Sequence, residues 1–153
     1  MPAPPKLRVL FVCIGNSCRS PMAESIVHRE AIDVIEPTSA GLFPLGFIAE
    51  LTIRTLQRNG CPTHGLSSKP VTPSLWNSAD LVINMSGHEK QRAFSPSEKV
   101  VDWHVEDPYG ADPAVYQRIF DEIAERVVDL AARLRIERRG FSAQGPGASE
   151  ESR

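Results

Sequence analysis

Residues 9–21 decide the fold of this chain, and they read V-L-F-V-C-I-G-N-S-C-R-S-P. An apolar run ends at Cys13, a short polar loop follows, and Pro21 then opens a helical pattern. Such a run is typical of a buried parallel strand, and proline suits the first position of a helix. Gly15 and Asn16 tolerate unusual backbone angles, so the loop can curl back on itself. The stretch therefore predicts a strand, a tight loop and a helix.

The loop, residues 14–20, has the composition of an anion site and is called the phosphate loop below. A curled loop that enters a helix points several backbone N–H groups at one spot. Arg19 can hold two oxygens of a phosphoryl group through its planar guanidinium. The positive electrostatic field of these N–H groups and of Arg19 would also stabilise a thiolate on Cys13. Ser20 could donate its hydroxyl to that sulfur. A cysteine at a strand end is usually a small buried hydrophobe, but the C-x5-R-S arrangement in this context favours a cysteine nucleophile. The nucleotide-binding pattern G-x-x-x-x-G-K-[ST] does not occur.

The longer stretch C-I-G-N-S-C-R-S-P-M-A-E, residues 13–24, resembles the signature of the low-molecular-weight protein tyrosine phosphatases. That family also includes bacterial protein-arginine phosphatases and thioredoxin-coupled arsenate reductases. Three further stretches follow in the family's order, namely S-A-G at 39–41, S-A-D-L-V-I-N-M at 78–85 and D-P-Y-G at 107–110. The resemblance covers about residues 6 to 135, which is nearly the whole chain.

Composition restricts the class of protein. The chain has 153 residues, 41% of them hydrophobic and 24% charged, as in an ordinary soluble domain with one core. A formal net charge of −2 gives no general attraction to nucleic acid or to an anionic membrane. Neither a membrane-spanning run nor a secretory signal is apparent. The 3 cysteines argue against a disulfide scaffold and for a reducing compartment, so we expect a cytoplasmic protein.

Strand-like and helix-like segments alternate along the chain. Strands are predicted at residues 7–12, 36–40, 79–85 and 100–103, the second of them as an edge strand because it contains Pro37. Helices are predicted at 21–33, 48–59, about 73–76, 87–94 and 113–136, with Gly60 ending the second helix and Asp112 capping the last.

This alternation implies right-handed βαβ units and a parallel sheet covered on both faces. We therefore expect an α/β, three-layer fold with a central four-stranded parallel sheet, which the resemblance makes flavodoxin-like in strand order. The domain is predicted to span residues 6–137, with flexible tails at 1–5 and 140–153. Ligands of such sheets lie beyond the carboxyl ends of the strands, where Cys13 is placed.

The resemblance assigns roles to further residues. Asp107, in the segment V-E-D-P-Y-G at 105–110 that is called the acid loop below, matches the general acid of the family. A proton donor on a rim loop is also what the chemistry needs, and the adjacent Glu106 ranks below it because neighbouring side chains diverge. Cys13, Arg19 and Asp107 are thus the expected catalytic residues.

The expected phosphate-binding residues are those of the phosphate loop: Ile14, Gly15, Asn16, Ser17, Cys18, Arg19 and Ser20. The residues that match the loop-supporting hydrogen-bond network of the family are Asn16, Ser20, Ser39 and His64. Tyr109 matches an aromatic residue of the substrate cleft, and Leu45 or Phe47 could form the opposite wall. Gly110 replaces a second tyrosine that many members carry.

In the family a second thiol, here Cys18, can form a reversible disulfide with the nucleophile; a buried cysteine without a redox role is the alternative. The histidines show no ligand spacing, so we expect no metal and no cofactor. The expected partners are a phosphorylated protein or peptide and phosphate, sulfate or vanadate in the loop. Neither nucleic acid nor a membrane is expected as a partner, and the chain would be a monomer or weak dimer.

The substrate class depends on Ser17. Tyrosine-specific members usually carry a bulky aliphatic residue there, and arginine-specific members carry threonine. Ser17 supplies the hydroxyl without the methyl group, which favours phosphoarginine or merely widens a phosphotyrosine pocket. We favour a phosphotyrosine phosphatase, with protein-arginine phosphatase as the alternative. Arsenate reductase is less favoured because residues 79–92 lack the two additional thiols, and a non-catalytic anion-binding module is disfavoured by the joint presence of the three catalytic residues.

Overall fold

A single parallel sheet forms the centre of the protein. The computed structural model describes the backbone of residues 5–151 and the side chains of residues 5–140. The strands are β1 (Leu7–Cys13), β2 (Ile35–Gly41), β3 (Leu81–Asn84) and β4 (Val100–Asp102). They pair in the order β2-β1-β3-β4, and every pair of neighbours is parallel. The predicted α/β fold with a four-stranded parallel sheet in flavodoxin-like order is confirmed, and so is the edge position of β2.

Helices cover both faces of the sheet. They are α1 (Arg19–Glu30), α2 (Glu50–Arg58), α3 (Pro73–Ser78), α4 (Lys90–Ala93) and α5 (Pro113–Glu151). Alternate residues of β1 point to opposite faces. Val9 and Phe11 belong to one buried cluster with residues of α1 and α5, whereas Leu10 and Val12 belong to a second cluster against which α3 packs. Apolar burial on two faces explains why β1 is almost continuously hydrophobic.

Helix α1 begins two residues earlier than predicted, at Arg19 rather than at Pro21. The first four N–H groups of a helix have no intrahelical acceptor, so proline at the third position forfeits no hydrogen bond. Arg19 and Ser20 therefore lie in the first helical turn and are oriented by it.

Several other predicted boundaries differ by a few residues. β3 spans Leu81–Asn84 rather than 79–85, and α4 spans Lys90–Ala93 rather than 87–94. Side chains of the intervening segment bind its own backbone: Asn84 Nδ2 donates to the His88 carbonyl, and Ser86 Oγ accepts the His88 N–H. Such local bonds compete with helix formation and delay the start of α4.

Helix α5 continues to Glu151, well beyond the predicted end near Ile136. Its start is as predicted, because Asp112 Oδ1 accepts the Val115 N–H at 3.2 Å. Residues 1–4 and 152–153 of the predicted tails lie outside the described residues, and the flexibility of the tails stays a prediction. Among the described residues, no helix is both long and apolar enough to span a bilayer.

Candidate active site

The phosphate loop leaves the sheet at the carboxyl end of β1, between its neighbours β2 and β3. Gly41, at the end of β2, pairs with Cys13 and lies against this loop. A Cβ atom at Gly41 would lie 2.7 Å from the Ile14 carbonyl oxygen and 2.9 Å from the Asn16 backbone nitrogen. Only glycine therefore allows this close approach of β2 to the loop.

Asn16 gives the loop its shape. It adopts φ of 48°, in the left-handed region that asparagine tolerates better than most residues. Its side-chain oxygen accepts the Lys69 N–H at 2.9 Å, and its Nδ2 donates to Ser20 Oγ at 2.7 Å and to Ser39 Oγ at 3.1 Å. Ser39 in turn donates to Glu24 Oε1 at 2.5 Å. The buried amide is thus fully occupied in holding the loop.

Gly15 is needed for space rather than for unusual dihedral angles. A Cβ atom there would lie 2.9 Å from Leu45 Cγ. The Gly15 carbonyl accepts the Leu45 N–H at 3.0 Å and the Ser68 hydroxyl at 2.9 Å. The 42–46 segment is therefore packed tightly over the phosphate loop.

The Cys13 thiol lies at the base of the loop and is buried. Ser20 Oγ is 3.0 Å from Cys13 Sγ, and the Ser20 N–H approaches the same sulfur at 3.5 Å. Asn16 donates to Ser20 Oγ, so the hydroxyl proton faces two acceptors, the sulfur and the Ala40 carbonyl at 3.4 Å. The Ser20 hydroxyl and N–H are thus the side-chain and backbone donors that lie next to the Cys13 sulfur.

Protein carbonyls bind one nitrogen of the Arg19 guanidinium, while another nitrogen is left available to a ligand. It is only 4% exposed, and its Nη1 donates to the carbonyls of Met85 at 2.5 Å and Val105 at 3.1 Å. Its Nε is buried and has no protein partner among the described residues. A buried, unpaired donor on a cation is costly unless a ligand accepts from it.

Other donors of the loop are also available. In the described part of the chain, the backbone N–H groups of residues 14–18 donate to no protein acceptor. One pocket of about 130 Å³ is lined by the thiol, by the loop and by three residues beyond it: Cys13, Ile14, Gly15, Ser17, Cys18, Arg19, Leu45, Asp107 and Tyr109. Backbone donors, a guanidinium and a sulfur at one small pocket suit a tetrahedral oxyanion.

The acid loop brings a carboxylate to this pocket. Asp107 Oδ2 lies 3.6 Å from Arg19 Nη2, and its other oxygen accepts the Tyr109 N–H at 3.1 Å. The side chain is 48% exposed, so it can exchange protons with solvent. Glu106 does not line this pocket and pairs instead with Arg118 at 3.1 Å, so it remains the weaker candidate for the proton donor.

Tyr109 and Leu45, two of the three residues expected at the substrate cleft, both line this pocket. Phe47, offered as an alternative to Leu45, is half exposed and does not line the pocket. Leu45 takes this place because its backbone is bonded to Gly15, whereas Phe47 lies beyond the turn at Gly46, where φ is 89°.

His64 does not join the network that supports the phosphate loop. It is exposed on the 61–70 segment, where it lines a separate pocket with Glu24, Ser25 and His28. Two other groups complete the network in which the sequence analysis had placed a histidine. The Lys69 N–H donates to the Asn16 side chain, and the Glu24 carboxylate accepts from Ser39. The local sequence gives no signal for a backbone donor, so Lys69 could not have been identified.

Ser17 is buried, and its hydroxyl binds the start of α2. Ser17 Oγ accepts the Ala49 N–H at 3.0 Å, and the Ser17 carbonyl accepts the Thr52 hydroxyl at 2.9 Å. One lone pair of the hydroxyl oxygen is therefore engaged within the protein, although Ser17 also lines the pocket.

Cys18 is a buried thiol at the end of the loop. Burial raises the pKa of Cys18, and its Sγ lies 3.5 Å from the Tyr116 hydroxyl of α5. Burial likewise raises the pKa of Cys61, which lies outside the pocket. All 3 cysteines are reduced in this structure. Tyr116 was missed by the sequence analysis because it lies among the buried apolar positions of α5.

The described residues bring together no group of three or more His, Cys, Asp or Glu side chains that could hold a metal ion. The donors at the pocket are nitrogen groups and a sulfur beside one carboxylate. Such a set is suited to an anion.

Comparison with known proteins identifies relatives across the whole domain. The chain is 36% identical to a protein-arginine-phosphatase of Bacillus subtilis, over 86% of this chain and 99% of the relative. It is 32% identical to an arsenate reductase of Bacillus cereus, over 82% of this chain and 95% of the relative.

Solved structures agree with this relationship. The arginine phosphatase YwlE of Geobacillus stearothermophilus superimposes with a TM-score of 0.80 at 26% identity, covering 88% of this chain and 97% of that one. A YwlE mutant with a phosphorylated active-site serine gives a TM-score of 0.76 at 31% identity, covering 87% and 99%.

The family model of the low molecular weight phosphotyrosine protein phosphatases matches residues 8–140. That range contains nearly all of β1, the phosphate loop, the acid loop and most of α5. The chain therefore belongs to the low molecular weight phosphotyrosine protein phosphatase family of hydrolases.

Proposed function

We propose that this chain is a cysteine-dependent protein phosphatase that hydrolyses phosphotyrosine through a phosphocysteine intermediate. The observation that carries the proposal is one small pocket lined by Cys13, Arg19 and Asp107. These residues supply the nucleophile, the oxyanion donors and the proton donor that phosphoryl transfer to sulfur requires.

In the first step the Cys13 thiolate attacks phosphorus while the bond from phosphorus to the tyrosyl oxygen breaks. Asp107, protonated at this stage, gives its proton to the leaving phenolic oxygen. The Arg19 Nε and the loop N–H groups bind the equatorial oxygens, and the Met85 and Val105 carbonyls hold the guanidinium in place. The product of this step is a phosphocysteine.

In the second step the Asp107 carboxylate takes a proton from a water molecule, which attacks phosphorus. The bond from sulfur to phosphorus breaks, and the Ser20 hydroxyl stabilises the thiolate that leaves. Inorganic phosphate is released and Asp107 is again protonated. The phosphorylated active-site serine of the YwlE mutant supports a covalent intermediate at the matching loop.

The nucleophile is tested with Cys13→Ser. We expect this variant to lose phosphatase activity while it keeps its fold and binds phosphate in a thermal-shift assay. Cys61→Ala is the matched control, since it removes another buried thiol, and it should retain activity. Substantial turnover by Cys13→Ser would disprove the assignment of the nucleophile.

Phosphotyrosine is favoured as substrate by two features. The small Ser17 side chain leaves room between Leu45 and Tyr109 for an aryl ring, and Tyr109 can stack on that ring. The Ser17 oxygen already accepts the Ala49 N–H, which leaves it less able to accept a hydrogen bond from a guanidinium. The substrate would be a phosphorylated protein or peptide in the cytoplasm, the compartment that the low cysteine content favours.

Protein-arginine phosphatase is the second candidate. It is favoured by the relative from Bacillus subtilis and by the hydroxyl of Ser17 at the pocket. Arsenate reduction, the activity named for the relative from Bacillus cereus, is disfavoured because Cys13, Cys18 and Cys61 are the only thiols and none lies in or just after β3.

Rates on matched phosphotyrosine and phosphoarginine peptides decide between the two candidates. We expect the wild type to prefer phosphotyrosine and to be inhibited by vanadate. If the Ser17 hydroxyl favours phosphoarginine, as the second candidate requires, Ser17→Ile should raise the ratio of phosphotyrosine to phosphoarginine hydrolysis. Ser17→Thr is the control that retains the hydroxyl, and an unchanged ratio for Ser17→Ile would remove that role of the hydroxyl. A wild type that prefers phosphoarginine would establish the second candidate in place of the first.

A further inference from the structure

Tyr116 connects the helix that follows the acid loop to the phosphate loop. It lies in the first turns of α5, directly after the acid loop, and its side chain is buried at 2% exposure. Its hydroxyl lies 3.5 Å from the Sγ of Cys18 in the phosphate loop.

Tyr116 is also tied through its backbone to the end of the acid loop. Its N–H donates to the carbonyl of Asp112, two residues after Gly110, at 3.3 Å. Burial, and then the Cys18 thiol, raise the pKa of Tyr116, so the phenol stays protonated. A neutral hydroxyl can donate its proton to the Cys18 sulfur.

The short segment from Asp107 to the start of α5 is held by its own hydrogen bonds. The Tyr109 N–H donates to Asp107 Oδ1 at 3.1 Å, and the Ala111 N–H donates to the Pro108 carbonyl at 2.8 Å. Gly110 has φ of 84°, which fixes the reversal of the chain before α5. A shift of the start of α5 would therefore displace the carboxylate that lies beside Arg19.

The geometry points to Tyr116 as a positioning residue, whose hydroxyl ties the start of α5, and with it the acid loop, to Cys18 of the phosphate loop and so sets the distance from Asp107 to the reacting phosphoryl group. This inference rests on the proposed function. Proton donation depends steeply on the separation of donor and acceptor, and a misplacement of about 1 Å costs on the order of 100-fold in rate.

The test compares Tyr116→Phe with the wild type on two aryl phosphates. p-Nitrophenyl phosphate has a good leaving group and needs little protonation, whereas phenyl phosphate has a poor one. We expect kcat to fall about 10- to 100-fold for phenyl phosphate and less than about threefold for p-nitrophenyl phosphate. Vanadate affinity should be unchanged, because the phosphate loop keeps its own hydrogen bonds.

Ser25→Ala is the matched control. Ser25 is also buried, and its hydroxyl donates to the Pro62 carbonyl, away from the pocket. It should leave both rates close to those of the wild type. An equal loss by Tyr116→Phe on both substrates would show a general structural role and would overturn the inference.

A double-mutant comparison separates this inference from the proposed function. If Tyr116 acts through Asp107, then adding Tyr116→Phe to Asp107→Asn should cause no further loss on phenyl phosphate. If the losses in rate caused by the two single substitutions multiply in the double variant, the inference is overturned while the proposed function stays intact. A wild type without phosphatase activity on any of these esters would instead overturn the proposed function.

Discussion

At the scale of single residues, Asp107 shows how a side chain with few contacts can have a defined position. Its carboxylate is held by one backbone N–H and by an ion pair with Arg19, yet about half of it is exposed. The neighbouring Glu106 is more exposed and is drawn away by Arg118. Of the two adjacent carboxylates, only Asp107 lines the pocket.

Asp107→Asn tests proton donation directly. An amide cannot protonate the leaving oxygen, so we expect kcat on phenyl phosphate to fall about 100-fold or more. The loss on p-nitrophenyl phosphate should be smaller, because that leaving group departs without a proton. Steady-state rates on both esters measure the difference, and Glu106→Gln serves as the adjacent-carboxylate control. Equal losses on the two esters would contradict the role of general acid.

At the scale of elements, the phosphate loop depends on contacts from several separate segments. β2 contributes Ser39 and Gly41, and the 61–70 segment contributes the Lys69 N–H, while Glu24 of α1 accepts a hydrogen bond from Ser39. Each contact is a hydrogen bond or a close approach of backbone atoms. The loop therefore has little freedom to relax when one of its neighbours changes.

Gly41→Ala tests this dependence. The new Cβ would meet backbone atoms of Ile14 and Asn16, which cannot move without distorting the loop. We expect kcat/KM to fall about tenfold or more and phosphate affinity to weaken. Initial rates and a phosphate titration measure the effect.

Gly140→Ala is the control for that experiment, because nothing lies within 4 Å of a Cβ at Gly140. It should leave activity unchanged and stabilise α5 slightly, by about 0.5–1 kcal/mol. Normal phosphate binding by Gly41→Ala would show that the loop tolerates displacement at β2.

At the scale of the whole molecule, α5 is tied to the far end of the sheet as well as to the active site. Arg135 donates to both carboxylate oxygens of Asp33, at 2.9 and 2.8 Å, and to the Glu30 carbonyl at 2.7 Å. Asp33 lies in the turn between α1 and β2. These hydrogen bonds from Arg135 hold the pKa of Asp33 below its usual range.

The pH dependence of stability follows from that shift. A carboxyl whose pKa is lower in the folded than in the unfolded state, where it is about 3.9, stabilises the fold above that pH. The contribution is lost as the pH falls through the lowered value. We expect Asp33→Asn to lower the unfolding midpoint in urea at about pH 7, and the difference from the wild type to shrink as the pH falls from about 4 toward about 2.

Asp129→Asn is the control, since Asp129 is an exposed carboxylate of α5 for which the described residues give no ion pair. It should not change the midpoint at either pH. A difference between Asp33→Asn and the wild type that persists undiminished at about pH 2 would contradict the linkage.

The sequence by itself determined the fold class and the residues of the phosphate loop that follow β1, whereas the strand order was expected from the family resemblance. Periodicity and turn residues act locally, so they indicate β1, the cap at Asp112 and the end of α2 at Gly60. Spacing within one short loop likewise indicates Cys13, Asn16, Arg19 and Ser20 as neighbours, because few residues separate them.

Only the tertiary structure decided which distant groups complete the site. The Lys69 N–H and the Tyr116 hydroxyl contact the phosphate loop from two separate segments, and Glu24 supports the loop through Ser39, whereas His64 does not contact it. Leu45 rather than Phe47 forms a wall because its backbone is bonded to Gly15. The physical reason is that such contacts depend on how packed elements approach one another in three dimensions, which local propensity does not encode.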